Sequence, residues 1–290
     1  MIEIQGLTKR YGSKLAVDRI SFSVGKGEIV GFLGPNGAGK STTMNIITGY
    51  LSATEGRVVI DGHEILEEPT EAKKCIGYLP EQPPLYQDMT VWEYLNFIYE
   101  LKKAKTASRT KHLETVCGMV KIGHVKDRLI SNLSKGYKQR VGIAQALIGN
   151  PEVLILDEPT VGLDPNQIIE IRSLIKSLSR SHTVILSTHI LSEVQSVCDR
   201  VIIINQGVIV ADDTERNLSE KLSKDKRYTL RVKAPQTDAL TALSRLERVD
   251  SVRPHGQKEE GVYEFLLQPK ENQDIREDVF ELLRERDWPM

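Results

Sequence analysis

Two short runs of residues have the types and spacing to do chemistry. The first, Gly34-Pro35-Asn36-Gly37-Ala38-Gly39-Lys40-Ser41, fits the pattern G-x-x-x-x-G-K-[ST]. Glycines at this spacing let backbone N–H groups converge on the α- and β-phosphates of a nucleotide. Lys40 would then reach the β- and γ-phosphates and Ser41 would ligate Mg²⁺, while a helix starting here adds its own positive end. A dinucleotide-binding reading fails for want of G-x-G-x-x-G.

The second run is the apolar stretch Val153-Leu154-Ile155-Leu156, which ends in Asp157-Glu158. A buried strand of that kind delivers two carboxylates to the sheet edge where open α/β sheets bind ligands. Asp157, first after the strand, is placed to hold the hydration shell of Mg²⁺. Glu158, one residue further out, is placed to orient an attacking water as general base. Acidic pairs that end strands are commonly just solvated; the phosphate loop in the same chain gives this pair its meaning. The chemistry implied is hydrolysis of MgATP.

Positioning these groups takes a layered fold, and its elements are legible. Residues 2–4, 16–24 and 28–33 read as strands, and the last runs into the glycine-rich loop and a helix over 41–48 with Gly49 at its end. From Thr90 to Asn150 the pattern is helical, opening on a capping box of Thr90 and Glu93. Strands return at 153–156, 183–186 and 200–204, with a helix over 166–178 between the first two. This alternation implies a largely parallel sheet. Asn205-Gln206-Gly207 reads as a hairpin turn.

Beyond a polar stretch the tail reads as strand 228–232, helix 237–246, short strand 249–252, strand 262–267 and helix 275–286. That βαββα order suggests a ferredoxin-like module wanting one strand, shortened or completed by another chain. The expected division is a first domain over 1–218, with a helical subdomain at about 88–150, then a linker over 219–227 and a small α+β domain over 228–290.

With 290 residues, 40 % of them apolar, the chain can bury a large core. Its 39 basic and 40 acidic residues leave a net charge of −1, too little to steer it onto nucleic acid or an anionic membrane. The basic clusters at 102–105 and 221–227 lack interleaved aromatics and read as solvated faces; no nucleic-acid partner is expected. Three scattered cysteines and an amino terminus without a long apolar core fit a cytoplasmic protein. No apolar run approaches the ~20 residues of a spanning helix, so any membrane role needs a partner that supplies the spans.

Taken together these residues resemble the ATP-binding cassette (ABC) family over about residues 2–210. The resemblance implies a P-loop α/β cassette with a mainly parallel sheet, antiparallel N-terminal strands and a helical subdomain. Leu133-Ser134-Lys135-Gly136-Tyr137 stands where the family carries L-S-G-G-Q. It implies that Ser134 and Gly136 touch the γ-phosphate held by an opposite subunit. Gln82 matches the glutamine loop that joins the metal site to the helical subdomain, and Gly162-Leu163-Asp164 matches the loop that crosses the dimer interface. His189 matches the switch histidine, and Tyr11 the aromatic that stacks on adenine. Within the family the likeness is to ATP-binding subunits of the drug, polysaccharide and gliding-motility export branch, over Gly31 to Thr42 and the two later motifs. It implies ATP and Mg²⁺ as ligands, a second ATP-binding subunit, an integral-membrane permease, and a place on the inner face of the membrane.

Overall fold

The computed structural model describes residues 1–214, 216–218, 227–270 and 273–290. Most of the expected linker, 219–226, and with it most of the 221–227 basic cluster, lies outside the described residues. The chain divides into two compact units, Met1–Glu215 and Arg216–Met290.

In the first unit, β1 (Ile2–Tyr11), β2 (Lys14–Val24), β4 (Glu55–Ile60) and β5 (His63–Glu64) form an antiparallel sheet in the order β2-β1-β4-β5. A second sheet has the order β10-β9-β3-β8-β7-β6, from β3 (Ile29–Leu33), β6 (Ile76–Leu79), β7 (Val153–Asp157), β8 (Thr183–Thr188), β9 (Arg200–Asn205) and β10 (Val208–Asp213). Its strands run parallel except for β10, which folds back on β9. Gln206 and Gly207 both take positive φ in that two-residue turn, as a type I′ hairpin requires.

The apolar run of β7 is continuous because both faces of the sheet are covered. Leu154 and Leu156 join one buried cluster, Val153 and Ile155 the other, which is the period-2 alternation of a strand with no wet side. Helix α1 (Lys40–Ile47) leaves the tip of β3 and ends in a left-handed Gly49. There the Gly49 N–H bonds Ile46 O and the Tyr50 N–H bonds Asn45 O, the paired bonds of a Schellman stop. A short helix, α2 (Pro69–Lys74), precedes β6.

The helical subdomain contains α3 (Val91–Leu101), α4 (Arg109–Met119) and α5 (Lys135–Leu147). The Thr90 hydroxyl accepts from the Glu93 N–H, and Glu93 reaches back to the Thr90 N–H, so the capping box is closed in both directions. One expectation is corrected here. Lys102, read as part of a solvated basic face, sends its Nζ inward to the carbonyls of Gln145, Ala146 and Ile148 at 2.9, 3.2 and 3.0 Å. Carbonyls at the end of α5 lack intrahelical partners, and an ammonium satisfies them.

The first unit also contains α6 (Pro165–Leu178) and α7 (Leu191–Val197), which flank β8 in sequence. In the second unit β11 (Tyr228–Lys233), α8 (Gln236–Leu243), β12 (Val249–Glu259), β13 (Val262–Pro269) and α9 (Arg276–Glu285) build a sheet of order β11-β13-β12, antiparallel throughout. Strand β13 lies between β11 and β12, the split βαβ arrangement of ferredoxin-like modules. Strand β12 extends seven residues past the expected Val252. Pairing with β13 recruits its polar half, and as an edge strand it tolerates Pro254 and irregular register.

Candidate functional site

The phosphate loop wraps the start of α1 at the carboxyl end of β3. Gly39 takes φ 109°, and a Cβ there would meet the Ala16 carbonyl at 2.7 Å. No other residue type fits both the conformation and the space. Lys40, buried at 6 % exposure, donates from Nζ to Gly34 O at 2.8 Å and Pro35 O at 3.3 Å. Its ammonium lies 3.7 Å from Glu158 Oε1. Ala38 is buried beneath the loop. Asn36, Gly37, Gly39, Lys40, Ser41 and Thr42 line an open cleft of about 750 Å³, together with Tyr11, Glu158 and His189.

Glu158 follows β7 with φ 47°, a left-handed backbone that a non-glycine residue adopts at a cost. Its N–H bonds Ser187 O at 2.9 Å, which pins the turn to β8. The buried carboxylate meets His189 Nδ1 at 2.9 and 3.0 Å. A carboxylate only accepts, so Nδ1 is the donor and the tautomer follows. Asp157 is 3 % exposed, and its Oδ1 has no hydrogen-bond partner. Burial pushes its carboxyl above the usual range and the Glu158 charge adds to this, while the Ser187 and Ser41 hydroxyls pull it back. A buried anionic oxygen left open, beside a serine hydroxyl, fits the water shell of a divalent cation. Among the described residues no group of three or more Asp, Glu, His or Cys forms a cage.

The remaining sequence-predicted residues are distributed differently. Tyr11 is half exposed with Lys9 Nζ over its ring. Gln82 is exposed and outside the cleft, whereas its neighbour Glu81 lines it. Ser134 caps α5 by accepting from the Tyr137 N–H, and with Gly136 it lines a separate cleft of about 260 Å³. Asp164 caps α6 by accepting from the Gln167 N–H at 3.0 Å. Sequence reasoning missed Lys14, Ala16 and Gln206, which also line the nucleotide-sized cleft. Gln206 lies on the legible turn, but only the pairing of β9 with β3 brings that turn to the loop.

The family model described as ABC transporter matches residues 17–161. The chain belongs to the ABC transporter family. The linearmycin resistance ATP-binding protein LnrL of Bacillus subtilis is 38 % identical over 259 residues, covering 88 % of this chain and 82 % of the relative. The bacitracin transport ATP-binding protein BcrA of Bacillus licheniformis is 39 % identical over 234 residues, 79 % of this chain and 75 % of its own length. Among solved structures, an ATP-binding subunit of an ABC transporter matches with TM-score 0.70 and 29 % identity over 77 % of this chain and 93 % of its own. A dimeric cassette in a post-hydrolysis state bound to ADP and Pi matches with TM-score 0.66 and 28 % identity over 74 % and 98 %. This ABC cassette is thus the ATP-binding subunit of a transporter, and an ATPase. No described helix is long and apolar enough to cross a membrane, and subunits of this family work in pairs with a membrane permease.

Proposed function

We propose that two copies of the chain close head to tail around two MgATP and that hydrolysis reopens them, driving export through a separate integral-membrane subunit. The observation that carries this reading is the division of the candidate residues between two clefts. Lys40, Ser41, Glu158 and His189 surround one, while Ser134 and Gly136 line the other. A second chain, identical or a close relative, would bring its Ser134 cleft to the γ-phosphate, where a helix N-terminus suits an anion.

In each composite site the Lys40 ammonium would move from the loop carbonyls to the β- and γ-phosphates. Glu158 would take a proton from the attacking water, with His189 Nδ1–H holding the carboxylate in orientation. Ser41 and Asp157, joined by Gln82 once its loop turns inward, would hold Mg²⁺, which when bound neutralises charge developing on the phosphoryl oxygens. Tyr11 would offer its ring face to adenine, and Asp164 would sit at the dimer seam. Segment 82–150, α3 foremost, would receive the permease, placing the chain at the inner face of the membrane. The names of LnrL and BcrA favour export of an antibiotic-like molecule.

Glu158→Gln is expected to lower turnover by roughly 10²–10⁴ with ATP binding retained, since only the base is removed. Near-normal hydrolysis by that variant would sink the assignment. The same variant, held closed in ATP, should capture a multi-spanning protein from gently solubilised membranes. Capture of ribosomal or nucleic-acid partners alone would overturn the export reading.

A further inference from the structure

Outside the cleft lining, a further buried carboxylate ties the two catalytic segments together. Glu193, in the first turn of α7, is 1 % exposed. Its Oε1 accepts from the Thr160 hydroxyl at 2.5 Å and its Oε2 from the Thr188 hydroxyl at 2.8 Å. Arg172 of α6 stands 3.9 Å from Oε1 as the facing cation. The Thr188 hydroxyl also accepts from the Ile190 N–H at 3.2 Å, so each side of the His189 peptide segment is tethered.

The placement of those threonines is what matters. Thr160 stands two residues after Glu158, and Thr188 one residue before His189. One carboxylate thus spans the two chain segments whose side chains meet at the Glu158–His189 hydrogen bond. An ionised carboxylate is retained in a core only where its oxygens and charge are met, and one so met gives a rigid link between its donors. Backbone pairing joins the two segments as far as the Glu158 N–H to Ser187 carbonyl bond; two separate threonines bonded to their own backbone would leave residues 160 and 188, beyond that bond, unlinked.

We infer that Glu193 is a positioning residue for hydrolysis: by holding Thr160 and Thr188 at once, it sets the spacing of Glu158 and His189. The inference rests on Glu158 being the general base. It concerns geometry at the reacting water and not nucleotide binding, since neither Glu193 nor the two threonines it holds line the nucleotide cleft.

The test is steady-state ATP hydrolysis by the full chain, with nucleotide affinity measured in parallel. Glu193→Ala is expected to lower kcat by about 10–100-fold with KM for ATP within about twofold of wild type. Glu193→Gln should recover most of kcat, because its amide oxygen accepts from one hydroxyl and its N–H donates to the other. Adding Thr160→Ala to Glu193→Ala should cost little more, since residues of one link are not additive. An unchanged kcat in Glu193→Ala, a parallel loss of kcat and affinity, or full additivity would each overturn the inference. Where Glu193→Ala does not fold, Thr160→Ala with Thr188→Val replaces it, and the same split decides. If Glu158→Gln retains turnover, the underlying reading has failed. If Glu158→Gln is inactive while Glu193→Ala is normal, only this inference has.

Discussion

Asp157 and Glu264 are both nearly inaccessible carboxylates on sheet strands, and they are treated in opposite ways. On β13, Glu264 is met by Arg231 at 2.7 Å, His255 at 3.1 Å and Lys258 at 3.2 Å. The Arg231 hydrogen bond, with Lys258 behind it, holds its carboxyl below the usual range despite its desolvation. Asp157 has neighbours of its own sign and an open oxygen, and burial pushes it the other way. One unit completes its buried charge internally; the other leaves a charge incomplete where a cation would supply the balance. Local rules broken at one spot and kept elsewhere mark the spot as functional.

Asp157→Asn should show the largest effects of the comparison. Turnover is expected to fall roughly 100-fold or more, as the oxygen proposed to position the metal is lost. The fold of the first unit should gain about 1 kcal/mol, since a buried open anion is replaced by an amide beside the Ser187 hydroxyl. ATPase assays and denaturant melts check the two halves. A variant that loses both activity and stability would break the comparison.

The two carboxylates should also give opposite pH slopes. Asp157, raised in the fold, keeps its proton longer than in the unfolded chain, so its unit loses stability as pH climbs from its ordinary 3.8 through the raised value. Glu264, lowered in the fold, contributes stability that is present above its ordinary 4.5 and is lost as pH falls through the depressed value. Melts between about pH 3 and 6 should show Asp157→Asn removing the first slope and Glu264→Gln the second. Glu264→Gln should also speed amide exchange in β11–β13 while leaving ATP hydrolysis unchanged. The smallest effect is expected at a half-buried, fully paired site: Thr90→Ala should cost about 1 kcal/mol and fray α3 alone, read by hydrogen exchange.

What could be read from the sequence was what is local in it. The phosphate loop, the run Val153–Asp157 and the Thr90–Glu93 box each fit within eight residues, and their geometry follows from contiguous residue types. Glu193 was not legible, because its partners lie 33 and 5 residues away and only the packing of α7 beside β8 and β3 brings them together. Nor was the extent of β12, whose outer half has no apolar alternation and is held by pairing alone. The turn that presents Glu81 in place of Gln82 is set by loop torsions that residue types do not specify. Lys102 carried a charge that suggested water, and its long stem led to a helix end instead.

The left-handed backbone of Glu158 has a bearing on how this position can change over generations. Asparagine and aspartate settle into that conformation with less strain than glutamate, and glycine with none. Random substitution toward any of these would be welcomed by the turn, yet each shortens or removes the arm that reaches His189 Nδ1. Glutamate therefore stands here against a local conformational preference. On the role proposed for Glu158, drift at this site would leave a sounder fold and a silent cleft: a lineage that abandoned hydrolysis would be recognised by a more comfortable residue at 158.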